Sequence, residues 1–324
     1  MIGKTENSGT SPDNPYYLPA QKVYSINATL DGILHSDWDD DGRRLYDLCR
    51  HIDKPRFNCF LHMPHGDGGF SYGYYANDLN RVIEQLEINF RVKASKENLW
   101  KAIDLYDQMR ELLEQLYEMR KREIPPISGA EAIGIVMAAF FMPVELFTAE
   151  LGSLMGYLDQ RKCHLKQLRP RLLVISDRMD LMDYLQLVED EGALVAMDDL
   201  DSGSRFFWGS TERNGDPVYA LAKRQVSSPA EPCKWHFDKQ IDRVIEWVKE
   251  YRIDGVLLLP HLGDTDRLCS LPFTLERLRS SNYWNGCGHI FYQGHLVVWR
   301  ESSRQRSASS RVGKCRVRGK ESNR

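Results

Sequence analysis

RLLVISDRMDLMDYLQLVEDEGALVAMDDLDSGSRFFWG, Arg171 to Gly209, is the stretch that decides the fold. RLLVIS reads as a buried strand, and DLMDYLQLVEDEG as an amphipathic helix closed by Gly192. ALVAMDD is a second strand. It runs into a loop where Asp198, Asp199, Asp201, Gly203 and Arg205 crowd together. In an α/β unit the loop after a buried strand is where ligands are held.

Working outward, the same alternation continues. FDKQIDRVIEWVKEY (237–251) is amphipathic, and DGVLLLPH (254–261) is a nearly all-apolar strand of the kind buried in parallel sheets. LPFTLERLRSS follows as a helix, while HIFYQ and LVVWR read as strands. Upstream, LDGILHS (30–36) and RFNCFLHMP (56–64) are strands. A helix over Arg43–His51 separates them, and one over 72–88 follows, with Tyr75, Leu79, Val82, Ile83 and Leu86 on one stripe. Between these halves lies helical sequence. Ser95 caps a helix carrying Leu99, Ile103, Tyr106, Met109, Leu113, Leu116 and Met119, which Pro125-Pro126 ends. Ser128 caps another start, in a segment apolar on nearly all sides, expected to be buried between domains. Pro143 opens a helix to about Gln160.

The expected fold is α/β, with two Rossmann-like parallel-sheet halves and a helical insert between them. The expected boundaries are 1–92 for the first half, 93–165 for the insert, 166–300 for the second half and 301–324 for a basic, disordered tail. That tail holds 8 Lys/Arg and 2 Asp/Glu, so residues 1–300 carry 35 basic against 44 acidic groups. An acidic body argues against nucleic acid as the main partner. The most apolar run, AIGIVMAAFFMPVELF (132–147), is too short to span a bilayer and contains Pro143 and Glu145. With the polar N-terminal sequence, this predicts a cytoplasmic chain with no membrane partner. The seven cysteines are scattered, odd in number and free of any CxxC spacing, which argues against a disulfide framework.

Chemistry-bearing groups gather after the strands. They are His35, Ser36, Asp37 and Asp39–Asp41; His62 and His65; Ser176 and Asp177; Asp198, Asp199 and Asp201; and His261, Asp264 and Asp266. Facing sheets would bring these loops to one crevice, where carboxylates repel unless a cation, a proton or an arginine intervenes. Arg205 is the nearest arginine. A hard cation such as magnesium or calcium would suit oxygen donors; a soft iron–sulfur cluster would suit them much less well. Each Asp taken singly reads equally well as a turn former or helix cap. No Walker loop, GxSxG or HExxH is present.

MDDLDSGSRFFW (197–208) resembles the Asp-Asp-Leu-Cys-Thr-Gly-Ser-Arg loop of the 2-hydroxyacyl-CoA dehydratase and benzoyl-CoA reductase family. The resemblance extends in family order through LDGILHSDWDDDGRRLYDL, LHMPHGDGGFSYGYYANDLNRVIEQLE, the helical insert and YRIDGVLLLPHLGDTDRLCSLPFTLERLR, about residues 29–280. It implies two Rossmann-like domains, a homologous second subunit, and a 4Fe-4S cluster held by three cysteines beside an acyl-CoA thioester. It also implies an ATP-dependent activator that supplies single electrons for ketyl-radical chemistry. Ser204 and Arg205 fall on the family's substrate-binding stretch. The family's cluster cysteines fall on Asp39 (or Asp40), Asp201 and Asp264, none of them cysteine. The first half is expected to be N-terminally shortened. Three functions stay open: a working subunit of such an enzyme, a cluster-free, non-catalytic partner or scaffold of one, or a hard-metal site made from the same acids.

Overall fold

The computed structural model describes residues 30–37, 40–52, 55–64, 66, 68–161, 169–176, 182–228, 237–259, 274, 276–278, 280, 289–292 and 295–298. It is an α/β protein with parallel sheets. Strand β1 (Gly32–Ser36), helix α1 (Asp40–Ile52), β2 (Phe57–Leu61) and α2 (Gly69–Phe90) come first. β1 and β2 pair in parallel, Gly32 opposite Phe57 and Ser36 opposite Leu61. Asp37, at the end of β1, accepts the Met63 N–H at 2.5 Å and the Arg43 guanidinium at 3.3 Å. One carboxylate thus ties both strand ends to the start of α1.

Three helices follow: α3 (Lys96–Met119), α4 (Gly129–Ala139) and α5 (Val144–Gln160). Both predicted caps are present. Ser95 accepts the Asn98 N–H at 3.1 Å, and Ser128 forms a reciprocal capping box with Glu131. The second sheet contains β3 (Arg171–Ser176), β4 (Leu194–Leu200), β5 (Gly255–Leu258), β6 (His289–Tyr292) and β7 (His295–Val298). Its order is β4-β3-β5-β6-β7, parallel except for the β6–β7 pair. Between these strands lie α6 (Met182–Asp190), the one-turn α7 (Ser204–Phe207), α8 (Pro217–Ser227) and α9 (Phe237–Glu250). With the first strand of this sheet in its interior, the strand order reverses between β3 and β5, the position at which doubly wound sheets open a crevice. Ser176 donates across that switch to the Leu259 carbonyl at 2.7 Å.

Helices α3 and α5 are built into the core of the larger sheet. Leu113, Leu116 and Tyr117 of α3 and Leu151 of α5 share one buried cluster with Leu173, Met197, Val256 and the Trp247 face of α9. Helix α4 lies directly on β4. A Cβ on Gly129 would stand 2.5 Å from the Val195 Cβ, so only glycine allows the approach. Glu189, 4% exposed, fixes it there. Its carboxylate accepts the N–H groups of Gly129 at 2.7 Å, Ala130 at 3.2 Å and Val195 at 3.2 Å. The first two belong to the amides at the α4 N-terminus that the helix itself leaves unpaired. Arg171 makes the matching link below, donating to the carbonyls of Arg120, Arg122 and Tyr251.

Helix α8 was not foreseen from periodicity, although Asp216 followed by Pro217 is a strong start signal. Asp216 accepts the Val218 and Tyr219 N–H groups at 3.0 and 3.2 Å. Val218, Ala222 and Val226 of this helix pack against Met63, Tyr75 and Ala76, joining the larger sheet's connections to the first strand pair. Among the described residues no helix is long and apolar enough to cross a membrane.

Candidate functional site

The loop after β4 is organised by three carboxylates that alternate in direction. Along a strand successive side chains point to opposite faces, so Asp198 and Asp199 meet different helices. Asp198 is fully buried. It accepts the Tyr117 hydroxyl at 2.6 Å, the Arg120 guanidinium at 3.3 Å and the Ser204 N–H at 2.8 Å. Arg120, 1% exposed, also donates to the Val195 carbonyl at 2.7 Å and stacks 4.4 Å from the Tyr117 ring centre. Burial first, and then the Asp198 charge, push the Tyr117 hydroxyl well above its ordinary range, so it is a fixed donor.

Gly203 makes this geometry possible. A Cβ there would lie 2.1 Å from Asp198 Oδ1 and 3.0 Å from Ile133 Cδ1. The glycine lets the backbone close over the carboxylate, which then receives the first N–H of α7. The Ser204 hydroxyl returns to the Asp198 carbonyl at 2.7 Å.

On the other face Asp199 meets Arg205. Nε donates to Oδ1 at 2.8 Å and Nη2 to Oδ2 at 3.1 Å, a forked pair. Nη2 also donates to the Asp199 carbonyl at 3.0 Å, and Nη1 to Asp201 at 2.8 Å. Gln240 of α9 donates to Asp199 Oδ2 at 2.6 Å. Nearby, Arg243 lies 5.9 Å from the Trp208 ring centre and 5.7 Å from that of Trp247. Burial lowers its guanidinium from the ordinary arginine value, with Asp199 acting against that shift. Arg205 thus neutralises Asp199 and Asp201, two carboxylates of its own loop and strand.

Of the residues expected at the site, Ser204 is fully buried with its hydroxyl engaged by the main chain, and Arg205 is tied to two carboxylates. Asp201 sits on Arg205. Asp39 and Asp264 lie outside the described residues, as do His65, Asp177, His261 and Asp266. On β1, His35 is buried with its Nε2 unpartnered among the described residues, and burial lowers its pKa below the ordinary 6.5. His62 meets Asp78, which accepts its N–H at 2.7 Å. Sequence reasoning missed Tyr117, Arg120, Glu189 and Gln240. Each sits within an ordinary amphipathic helix pattern, and only the fold brings it to a carboxylate.

A soft metal cluster would need different donors. Asp201, at a cluster-cysteine position, is a hard oxygen donor that already neutralises a guanidinium, whereas iron–sulfur clusters take thiolates. The described cysteines Cys49 and Cys59 are buried at other places in the fold. Among the described residues no three Asp, Glu, His or Cys side chains form a metal-holding group. Of the three positions, Asp201 is the one described, and its engagement with Arg205 does not fit a cluster ligand.

The family model described as "2-hydroxyglutaryl-CoA dehydratase, D-component" matches residues 10–265. Similar proteins include the (R)-phenyllactyl-CoA dehydratase beta subunit of Clostridium sporogenes, 24% identical over 185 residues, 54% of this chain and 46% of that protein. A benzoyl-CoA reductase subunit of Thauera aromatica is 24% identical over 191 residues, 57% of this chain and 49% of its own. The putative dehydratase subunit YjiM of Escherichia coli is 23% identical over 185 residues, 56% and 48% of the two chains. The aligned region spans about half the length of each of these relatives.

Proposed function

Because this chain belongs to the 2-hydroxyglutaryl-CoA dehydratase, D-component, family, we propose that it is a cluster-free subunit of a 2-hydroxyacyl-CoA dehydratase or benzoyl-CoA reductase type enzyme. In this reading it works beside a homologous, cysteine-bearing subunit on an acyl-CoA thioester. The observation that carries the proposal is the Arg205–Asp201 pair at 2.8 Å. For Asp201 to ligate iron it would have to leave that arginine, and oxygen would replace thiolate at a centre that favours sulfur. The low-potential, one-electron step of the family would therefore belong to the partner, and the ATP-dependent activator would dock on that partner.

What this chain supplies is shape. Asp198, Gly203 and Ser204 hold the β4 loop rigid, and Arg205 keeps two carboxylates compact at the strand ends. Ser204 and Arg205 act here as supports of the crevice wall, with Asp199 held in place by Gln240. We read the two sheets as Rossmann-like halves, 1–92 and 166–300, around the 93–165 insert. The α2–α8 packing is the described joint between them.

Anaerobic purification, alone and with a cysteine-bearing homologue, tests the proposal through iron and acid-labile sulfide content and acyl-CoA binding. Alone, the chain should be colourless even after reconstitution. Together, the pair should be brown and bind the thioester more tightly than the homologue does by itself. Stoichiometric iron and sulfide on the isolated chain would overturn the cluster-free assignment. A strictly monomeric chain that leaves the homologue's thioester affinity unchanged would overturn the subunit assignment.

A further inference from the structure

The outer edge of β2 is half closed and half open. The Asp37 N–H donates to the Leu61 carbonyl, so Leu61, Cys59 and Phe57 turn their main-chain groups toward β1. Asn58, Phe60 and His62 then turn theirs outward. At the C-terminal end, α2 covers this edge: Asp78 accepts the His62 N–H at 2.7 Å, and Arg81 donates to the Phe60 carbonyl. Burial is the largest influence on Asp78 and opposes its ionisation, but the bonds from Arg81 and the His62 N–H together outweigh it and hold the carboxyl below the ordinary range, so this plug is charged at neutral pH.

The N-terminal end has no such cover among the described residues. The Asn58 N–H and carbonyl and the Phe60 N–H face a cleft of about 350 Å³, lined by Tyr46, Arg56 and Phe60 and, from α2, by Arg81, Gln85 and Asn89. Arg56 and Arg81 line it and no carboxylate does; Arg81 is already paired with Asp78, which leaves Arg56 to meet a charge from outside. Arg56 makes no ion pair among the described residues. An uncovered edge is a template for a further strand.

We propose that this cleft takes an extended acidic peptide of a partner protein, added as a third strand on β2. The edge would give main-chain hydrogen bonds at Asn58 and Phe60, and Arg56 would meet a carboxylate of the peptide. Helix α2 overhangs the edge, so the occupant is a bare strand. A second copy would bring its own α2 against this one. Nothing in this proposal depends on the cluster or on the acyl-CoA assignment.

The test uses the full chain and a fluorescein-labelled peptide of alternating glutamate and valine, read by fluorescence anisotropy, with hydrogen exchange at Asn58 and Phe60. Saturable binding should slow both amides. It should be lost when the peptide backbone is N-methylated on its pairing edge or when lysine replaces glutamate. Arg56→Glu, at an exposed position, should weaken binding on the order of tenfold at low salt and less at high salt. Asn58→Pro should abolish it, with circular dichroism confirming the fold. Absence of saturable binding, equal binding of the N-methylated peptide, or full affinity in Arg56→Glu would each overturn the proposal. Slow exchange at both amides without peptide would overturn it too, because the chain would then cover its own edge.

Discussion

Replacing Arg120 by methionine removes the cation from a carboxylate that water cannot reach. Arg120 is 1% exposed and Asp198 is fully buried, so no solvent replaces the lost partner. Methionine keeps much of the stem volume, which limits the cavity cost. What remains is an anion facing one hydroxyl and one N–H, together with a Val195 carbonyl that loses its donor. Breaking a buried pair from one side costs about 3–5 kcal/mol. Against a total stability of roughly 5–15 kcal/mol that is a large fraction. At about 2–4 °C per kcal/mol for a chain near this size, the melting temperature should fall by roughly 6–20 °C. Adding Asp198→Asn to Arg120→Met should recover part of the loss, because the stranded charge is gone. A double-mutant cycle by urea denaturation and thermal melts checks both statements. If Arg120→Met lies within about 1 kcal/mol of the parent, or if the double variant shows no coupling, the ion pair does not hold the loop as argued.

Gly203→Ala should destabilise by about 1–3 kcal/mol, since its Cβ meets Asp198 Oδ1 at 2.1 Å, and a thermal melt unchanged from the parent would contradict this. Glu189→Gln should cost about 1–3 kcal/mol, because one amide oxygen cannot serve the three N–H groups that the carboxylate holds. Faster hydrogen exchange at Gly129 and Ala130 would locate the effect. His35 has a folded pKa below its ordinary 6.5, so the unfolded chain takes up a proton first as pH falls. Its contribution is whole above that value and is lost as pH drops toward the folded pKa. His35→Asn should flatten this part of the stability profile, and identical pH slopes for the two proteins would refute the assignment.

Much of the fold was legible because strands and helices leave period-two and 3.6-residue signals that need no tertiary knowledge. RLLVIS, ALVAMDD and DGVLLLPH carried the larger sheet, and Ser95 and Ser128 announced their helices. The acidic loop was legible as a cluster, with Arg205 as its neutralising cation. The burial partners were not. Tyr117 and Arg120 are 81 and 78 residues from Asp198, and nothing in a helix sequence marks which polar residue will turn inward. Helix α8 was missed because its apolar stripe is short and built from Val218, Ala222 and Val226, although its Asp-Pro start was visible.

The position of the helical insert bears on how the molecule assembles. Arg171 opens β3 yet gives its guanidinium to carbonyls of Arg120 and Arg122, and Glu189 anchors α4 from the far end of α6. A gene fragment beginning at residue 166 would carry the larger sheet without the helices that seal one of its faces. Such a fragment should emerge as a sticky, proteolysis-prone intermediate. The ribosome meets the insert before the strands it will cover, so during synthesis those helices wait, half-wet, for their sheet to arrive.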